Sequence, residues 1–166
     1  MEKEKTLVLI KPEGVIRQIV GRLLSRFEDA GLKIIAMKML SVDKEKAGKH
    51  YGQDIAERHS EKVRNLLLAH ITEGPVLALV LEGPDAIAVT RKIIGPTYPN
   101  EAPAGTIRGD FGHVSKIYAN KNEMPIRNFI HASADKADSD KEIPIWFEES
   151  ELSDYKTMHE MVCFKE

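Results

Sequence analysis

The 166 residues include a single cysteine, Cys163, so no internal disulfide can form and no thiolate metal cluster can be assembled. A reducing cytosol is the natural setting for such a chain. Net charge is scarce too, at −2 for pH 7. Binding to long polyanions relies on counterion release by a surplus of Lys and Arg, which excludes nucleic acid as the main partner and leaves room only for a small polyanion. No stretch approaches the ~18 apolar residues of a membrane span. The opening MEKEK-TLVLI lacks the apolar length of a secretory signal, so a cytoplasmic protein without a membrane partner is expected. Several signatures are missing. The only Gly-Lys pair, Gly48-Lys49, precedes His50 and lacks the leading glycine of a G-x-x-x-x-G-K-[ST] phosphate cradle. No G-x-G-x-x-G follows a strand, no H-E-x-x-H occurs, and the six histidines lack zinc-site spacing, so a protein-held metal is not expected.

What is present is an ordinary globular composition, 42% hydrophobic and 30% charged, in a length that suits a single domain over 1–166. Thr6 to Ile10 is a short apolar run stopped by Lys11-Pro12, which reads as a buried strand. Ile19, Leu23, Leu24 and Phe27 recur at helical spacing between Val15 and Ala30, with Gly31 where a terminating glycine belongs. Leu32 to Leu40 alternates as a strand, and Val42–Tyr51 and Ser60–His70 read as helices. Val76 to Leu81 is a second continuous apolar run, followed by a helix over Asp85–Ile94 with Pro84 at its first position and Gly95-Pro96 closing it. Ile94 to Asp110 carries Pro96, Pro99, Pro103, Gly105 and Gly109, too punctuated for a helix, and a loop of this length in a compact domain is usually functional. Gly112 to Arg127 is polar and weakly periodic, Asn128 to His131 is a last short strand, and helical spacing returns over Asp135–Glu142. This order predicts an α+β fold of the ferredoxin-like, split-βαβ type, with a four-stranded antiparallel sheet covered by helices.

Cations and small polar residues gather at the ends of these elements: Lys11 after the first strand, Arg91 on a helix, Thr97 and Arg108 on the long loop, and His131 at the last strand. In such a sheet those ends can converge on one face. Two arginines and a lysine around one histidine would neutralise a polyphosphate and keep the imidazole neutral and nucleophilic, which is chemistry suited to a phosphohistidine. Phosphoryl transfer needs little beyond positioning and stabilisation of the equatorial oxygens.

The run Asn128-Phe129-Ile130-His131-Ala132-Ser133, continuing to Lys141-Glu142-Ile143 and Trp146-Phe147, resembles the active-site motif of nucleoside diphosphate kinases. Thr6 to Gly14 (TLVLIKPEG), Gly74-Pro75-Val76, Glu82-Gly83 and Gly105 to Phe111 (GTIRGDF) extend the resemblance along nearly the whole chain in the family's order. It implies a ping-pong enzyme that moves the γ-phosphate of a nucleoside triphosphate, mainly ATP with Mg²⁺, onto His131 and then to a nucleoside diphosphate, with low base specificity. By this match His131 is the phosphorylated histidine, Glu142 the carboxylate that orients its other ring nitrogen, and Ser133 the neighbouring hydroxyl. Lys11, Arg91, Thr97 and Arg108 match phosphate ligands, Asn128 the amide at the ribose, and Tyr51 the phenol beside Lys11 and the histidine. The resemblance places Mg²⁺ on the nucleotide phosphates rather than in a protein cage, and implies a homo-oligomer, hexamer or tetramer.

The chain also departs from the family pattern. Glu57 to His70 contains no aromatic ring except histidine where family members carry a base-stacking phenylalanine, and counting back from Gly74 places Val63 and Leu67 at the base-contacting positions, with His59 as a possible substitute platform. His113 to Arg127 is an insertion that could lengthen a loop over the site or remodel a subunit contact. Ala134 stands where an acidic residue commonly follows the serine, and the tail HEMVCFKE is unlike the usual one. Asp135, Asp138 and Asp140 read as a solvated face. The rival reading is a non-catalytic nucleotide-binding or regulatory module on the same fold. His131 with its matching carboxylate Glu142 counts against that, since a binding-only protein needs no oriented nucleophile.

Overall fold

In the computed structural model, which describes residues 3–164, the chain runs β1 (Glu4–Ile10), α1 (Pro12–Ile16), α2 (Val20–Asp29), β2 (Lys33–Ser41), α3 (Lys44–His50), α4 (Gln53–Arg58) and α5 (Glu61–Thr72). It continues with β3 (Pro75–Gly83), α6 (Ala86–Ile94), α7 (Ile107–Phe111), α8 (Lys116–Lys121), β4 (Ile130–Ala132), α9 (Lys136–Trp146) and α10 (Met158–Cys163). Met1, Glu2, Lys165 and Glu166, the outer ends of the MEKEK and HEMVCFKE stretches, lie outside the described residues. The strands form one antiparallel sheet in the order β2-β3-β1-β4. This is the expected ferredoxin-like α+β architecture.

The two continuous apolar runs are the central strands, and the sheet explains their composition. Side chains alternate between faces along a strand, and here both faces are covered, so neither parity can be polar. Val8 and Ile10 of β1 join Leu77, Leu79 and Leu81 of β3 in a core completed by Leu23 and Phe27 of α2 and Ile94 of α6. Leu7 and Leu9 join Val76, Ala78 and Val80 on the opposite face, closed by Ala47 of α3, Ile71 of α5 and Trp146 of α9. β4 is an edge strand. Its Ile130 and Ala132 belong to the first core, so by alternation His131, paired with Leu9, stands on the second face.

Four readings of local structure are corrected. The first helix is two: it breaks after Ile16, Gln18 takes φ 57°, and α2 starts at Val20, although Gly31 does adopt the left-handed conformation expected at its end. Pro84 is not the first helical residue of α6, because Asp85, at φ 50°, is the N-cap. The punctuated loop holds the one-turn helix α7, started by the Thr106 hydroxyl, which accepts the Gly109 N–H at 3.1 Å. The inserted segment likewise holds α8, capped by Ser115 accepting from Tyr118 N–H at 3.0 Å. Both short helices are stabilised by tertiary packing of Ile107 and Ala119, each almost wholly buried, rather than by periodicity long enough to see in the chain.

Candidate active site

His131 arrives on β4 through a tight approach. Phe129, two residues earlier, sits at φ 65°, a conformation that costs a non-glycine residue about 1–3 kcal/mol and persists only when its surroundings over-determine it. They do so here. The Phe129 N–H donates to Glu13 Oε1 at 2.9 Å, its carbonyl accepts the Lys11 N–H at 2.8 Å, and the Arg17 guanidinium lies 4.9 Å from its ring centre. Glu13 is itself fastened by His70 Nε2 at 2.6 Å, and although burial opposes ionisation, the His70 bond, Lys11 and the Phe129 N–H bring its carboxyl down to about 2. Glu13 and His70 therefore hold the turn that aims the histidine. Neither stands out in the chain, although Glu13 lies within the K-P-E-G run.

Behind the ring, His131 Nε2 lies 2.9 Å from Glu142 Oε1, and Ser133 Oγ donates to Oε2 at 2.7 Å while accepting the Leu7 N–H at 3.3 Å. Burial raises the Glu142 carboxyl, but the His131 and Ser133 bonds outweigh it and leave the group at about 2, a carboxylate at neutral pH. A carboxylate accepts, so Nε2 carries the ring proton and the lone pair is on Nδ1. The charged run containing Glu142 is thus not uniformly solvated: Glu142 is buried, and Asp138, read as solvated, lines the cavity in front of His131. Asp135 caps α9 and Asp140 pairs with Lys136.

His50 also belongs to this site, although nothing in its local sequence marks it. Its ring meets that of His131 edge-on, 4.6 Å between centres, and its Nδ1 accepts the Trp146 indole N–H at 3.4 Å. Its Nε2 is buried with no hydrogen-bond partner among the described residues. Burial first, then His131, pushes the group down to about 3, so it is neutral at pH 7 and supports the His131 ring without adding charge. The adjacent Tyr51 is buried, and burial with the Glu142 and Glu13 carboxylates pushes its phenol up, so it is a neutral hydroxyl.

In front of His131 lies a cavity of about 540 Å³ lined by Lys11, Tyr51, Arg91, Thr97, Arg108, Asn128 and Leu67. The chain thus brings together every residue expected to meet phosphate or sugar. Lys11 Nζ donates to Asn128 Oδ1 at 2.7 Å, and Asn128 Nδ2 donates to the Thr97 carbonyl at 3.1 Å. Burial lowers Lys11 to about 8, opposed by Glu13 and assisted by Arg108 and Arg127. Arg108 is buried and donates to three carbonyls: Ile130 at 2.7 Å, Gly95 at 2.9 Å and Asn128 at 3.4 Å. Burial, then Arg91, lowers it to about 10, still a cation at neutral pH. Arg91 and Thr97 are exposed at the cavity mouth. Val63 stands apart from His131. With Leu67 and His59 it lines an adjoining cleft that shares Lys11, Thr97 and Asn128 with the cavity.

Two triads among the described residues have ligand atoms close enough for a metal, His50-His131-Glu142 and Glu13-His70-Glu73. Glu13, His70, His131 and Glu142 are engaged in the hydrogen bonds just described, and Glu73 is held by Arg127 Nη2 at 3.0 Å. The cavity wall is cationic with Asp138 as its one carboxylate, a lining suited to a metal that enters on phosphate oxygens rather than one caged by protein.

An imidazole oriented by a carboxylate and facing a cation-lined cavity on a ferredoxin-like sheet defines a phosphoryl-transferring class of protein. The family model for nucleoside diphosphate kinase matches residues 4–152. A nucleoside diphosphate kinase from Borreliella burgdorferi is 50% identical over 154 residues, 92% of each chain, and one from Pyrococcus horikoshii is 46% identical over 93% of this chain and 91% of its own. Among solved structures, a transition-state mimic of the Borrelia burgdorferi enzyme with bound vanadate and ADP superposes with a TM-score of 0.93 at 49% identity over 95% of both chains. The Halobacterium salinarum enzyme in complex with CDP gives 0.85 at 34% identity, over 99% of this chain and all of that one. The chain belongs to the nucleoside diphosphate kinase family, and it is a phosphotransferase acting from nucleoside triphosphate to nucleoside diphosphate.

Proposed function

We propose that this transfer runs through His131 Nδ1. The lone pair attacks the γ-phosphorus of a nucleoside triphosphate, the N–P bond forms as the bridging P–O bond breaks, and the nucleoside diphosphate leaves. A second nucleoside diphosphate then attacks the phosphohistidine with its terminal oxygen and regenerates the free ring. With Nδ1 phosphorylated and Nε2 protonated the ring is formally cationic, and the ionised Glu142 at 2.9 Å opposes that charge. The single observation that carries this reading is the Glu142–His131 bond, which fixes the tautomer. Lys11, Arg91 and Arg108 bind and neutralise the phosphates, Thr97 and Asn128 hold phosphate and ribose at the mouth, and Ser133 holds Glu142. Tyr51 presents its hydroxyl-bearing ring to the cavity, and Val63 and Leu67 meet the base. Bound Mg²⁺ would neutralise and organise the phosphate oxygens.

Nucleoside di- and triphosphates are the partners, as the ADP and CDP of the solved relatives suggest. We propose a homo-oligomer, supported by Met37 and Met39, two large apolar side chains exposed on the edge strand β2. A cytoplasmic setting is supported by the exposed free thiol of Cys163. No helix among the described residues is long and apolar enough to cross a membrane.

The test is incubation with γ-labelled ATP. An acid-labile, base-stable phosphoprotein is expected, absent in His131→Ala. Label surviving that substitution would relocate the nucleophile.

A further inference from the structure

α7 is a single turn, too short to hold its own shape, yet it carries Arg108 into the cavity in front of His131. The Arg108 guanidinium is aimed by the Ile130, Gly95 and Asn128 carbonyls. Those bonds set its heading, and the depth to which it reaches depends on where the turn beneath it sits. One point of that turn is fixed by the buried Ile107. A second is fixed from outside, by α2. Arg26 Nη1 donates to Asp110 Oδ2 at 2.8 Å, and its Nη2 donates to the Gly105 carbonyl. The other oxygen of Asp110 accepts the Gly105 N–H at 2.7 Å, so guanidinium and carboxylate hold each other and Gly105 in a closed ring at the entry to α7. Gly105 takes φ 89° there, and a methyl group on Gly109 would collide with the Pro103 carbonyl. A chain wound this tightly passes any shift of Gly105 or Asp110 to Arg108, which lies between them.

The Arg26–Asp110 pair is a poor stabiliser. Its side chains are 28% and 33% exposed, and a pair so wetted contributes little to global stability. Its place around Arg108 argues for another use. Arg22, one turn earlier on the same face of α2, stands 4.6 Å from the Phe111 ring centre, and Arg17 Nη1 donates to the Phe111 carbonyl at 2.7 Å. Arg17 also meets the Phe129 ring, so it bears on the turn before His131 as well. The Arg26 guanidinium, by contrast, hydrogen-bonds this loop alone among the described residues. We propose that Arg26, through Asp110 and Gly105, is a positioning residue for phosphoryl transfer, setting the place of Arg108 against the transferring group without itself lining the cavity.

This role rests on the phosphohistidine reading with Arg108 as a phosphate ligand, and a double-mutant cycle keeps the failures apart. The single-turnover rate constant of labelling by saturating γ-labelled ATP is measured by rapid quench for the full chain, with His131→Ala as control. The variants are Arg26→Ala, Arg108→Ala, the two combined, and Asp110→Asn, which keeps an acceptor for the Gly105 N–H and loses the charge. A rate constant does not depend on the fraction folded, and urea midpoints record stability separately. A misplacement of about 1 Å costs up to about 100-fold, so Arg26→Ala is expected to slow labelling about 10-fold, less than Arg108→Ala does, and Asp110→Asn to slow it too. Without Arg108 to place, the further loss of Arg26 is expected to change the rate by less than about twofold. Arg26→Ala, Asp110→Asn or Arg108→Ala as fast as the parent, or a larger loss from Arg26→Ala in the Arg108→Ala background, overturns the inference and leaves the phosphohistidine standing. No label on the parent, or label that survives His131→Ala, overturns both.

Discussion

Replacing Glu142 tests whether the carboxylate behind His131 acts by its charge or only by its shape. Glu142→Gln keeps the size and a hydrogen-bond acceptor for Nε2–H, but removes the negative charge that opposes the cationic phosphorylated ring. Glu142→Ala removes both, and leaves His131 Nε2 and the buried Ser133 Oγ, now bonded at 2.9 and 2.7 Å, without their acceptor. A hydrogen bond to a charged partner contributes about 1.5–3 kcal/mol and a neutral one about 0.5–1.5. The loss of roughly 1–1.5 kcal/mol for Gln corresponds to about a 10-fold fall in the rate of phosphohistidine formation, and the full loss in Ala to about 10- to 100-fold. Rapid-quench labelling with γ-labelled ATP at pH 7 reads the rate directly, and a urea titration of each variant separates it from destabilisation. Both variants within twofold of the parent would refute the argument, because the ring would then need neither the fixed tautomer nor the neighbouring charge.

Lys11, lowered to about 8, is a cation below that pH and neutral above it, so kcat/KM should fall about tenfold per pH unit above roughly 8. Bound phosphates favour the cation, so kcat at saturation stays level further into alkali, and Lys11→Arg removes the limb; a flat kcat/KM profile from pH 7 to 10 would contradict this. Val63→Gly strips the aliphatic wall of the cleft and should weaken nucleotide binding about 3- to 10-fold by equilibrium titration, whereas unchanged affinity would favour His59 as the base contact or no base clamp at all. The acid limb of stability has a stated sign. Glu13 and Glu142, each at about 2 in the fold, contribute stability that is present above the unfolded carboxylate range near 4.5 and is lost as pH falls toward 2. His50, at about 3, adds to the loss from about pH 6.5 downward because only the unfolded chain takes its proton. Urea midpoints should therefore drop steadily between pH 6.5 and 3, and His50→Phe should flatten the upper part of that drop.

The strands were legible because two-sided burial leaves a local mark: β1 and β3 are apolar at every position from Leu7 to Ile10 and Val76 to Leu81. The long helices were legible for the same reason, through the spacing of Leu23 and Phe27. What stayed hidden has no local mark. Glu13 holds Phe129 across 116 positions of chain, and nothing near Glu13 distinguishes it from a first-turn acid placed for the helix dipole. His50 becomes part of the site only because α3 and α9 pack on the same sheet face, which puts the Trp146 indole on one nitrogen and the His131 ring edge-on to the other residue. α7 and α8 are too short to show a period and exist because Ile107 and Ala119 have somewhere to bury.

The site residues themselves divide along the same line. Lys11 directly follows the apolar run of β1, Asn128 shortly precedes β4, and His131 sits between Ile130 and Ala132 within β4, where a cation, amide or imidazole is out of place beside apolar residues and so draws notice, while Arg108 is marked by the length of the punctuated loop that carries it. Glu142 sits among charges that are mostly solvated and could be chosen only through the family resemblance. Local anomaly marks the groups that meet the substrate, whereas the groups that aim them are ordinary in sequence and exceptional only in their partners. A His131 without Glu13, His70, Glu142 and Ser133 would keep the noticed residues and lose the geometry: Phe129 would relax out of φ 65°, and Nδ1 would no longer be the nitrogen held free for phosphorus.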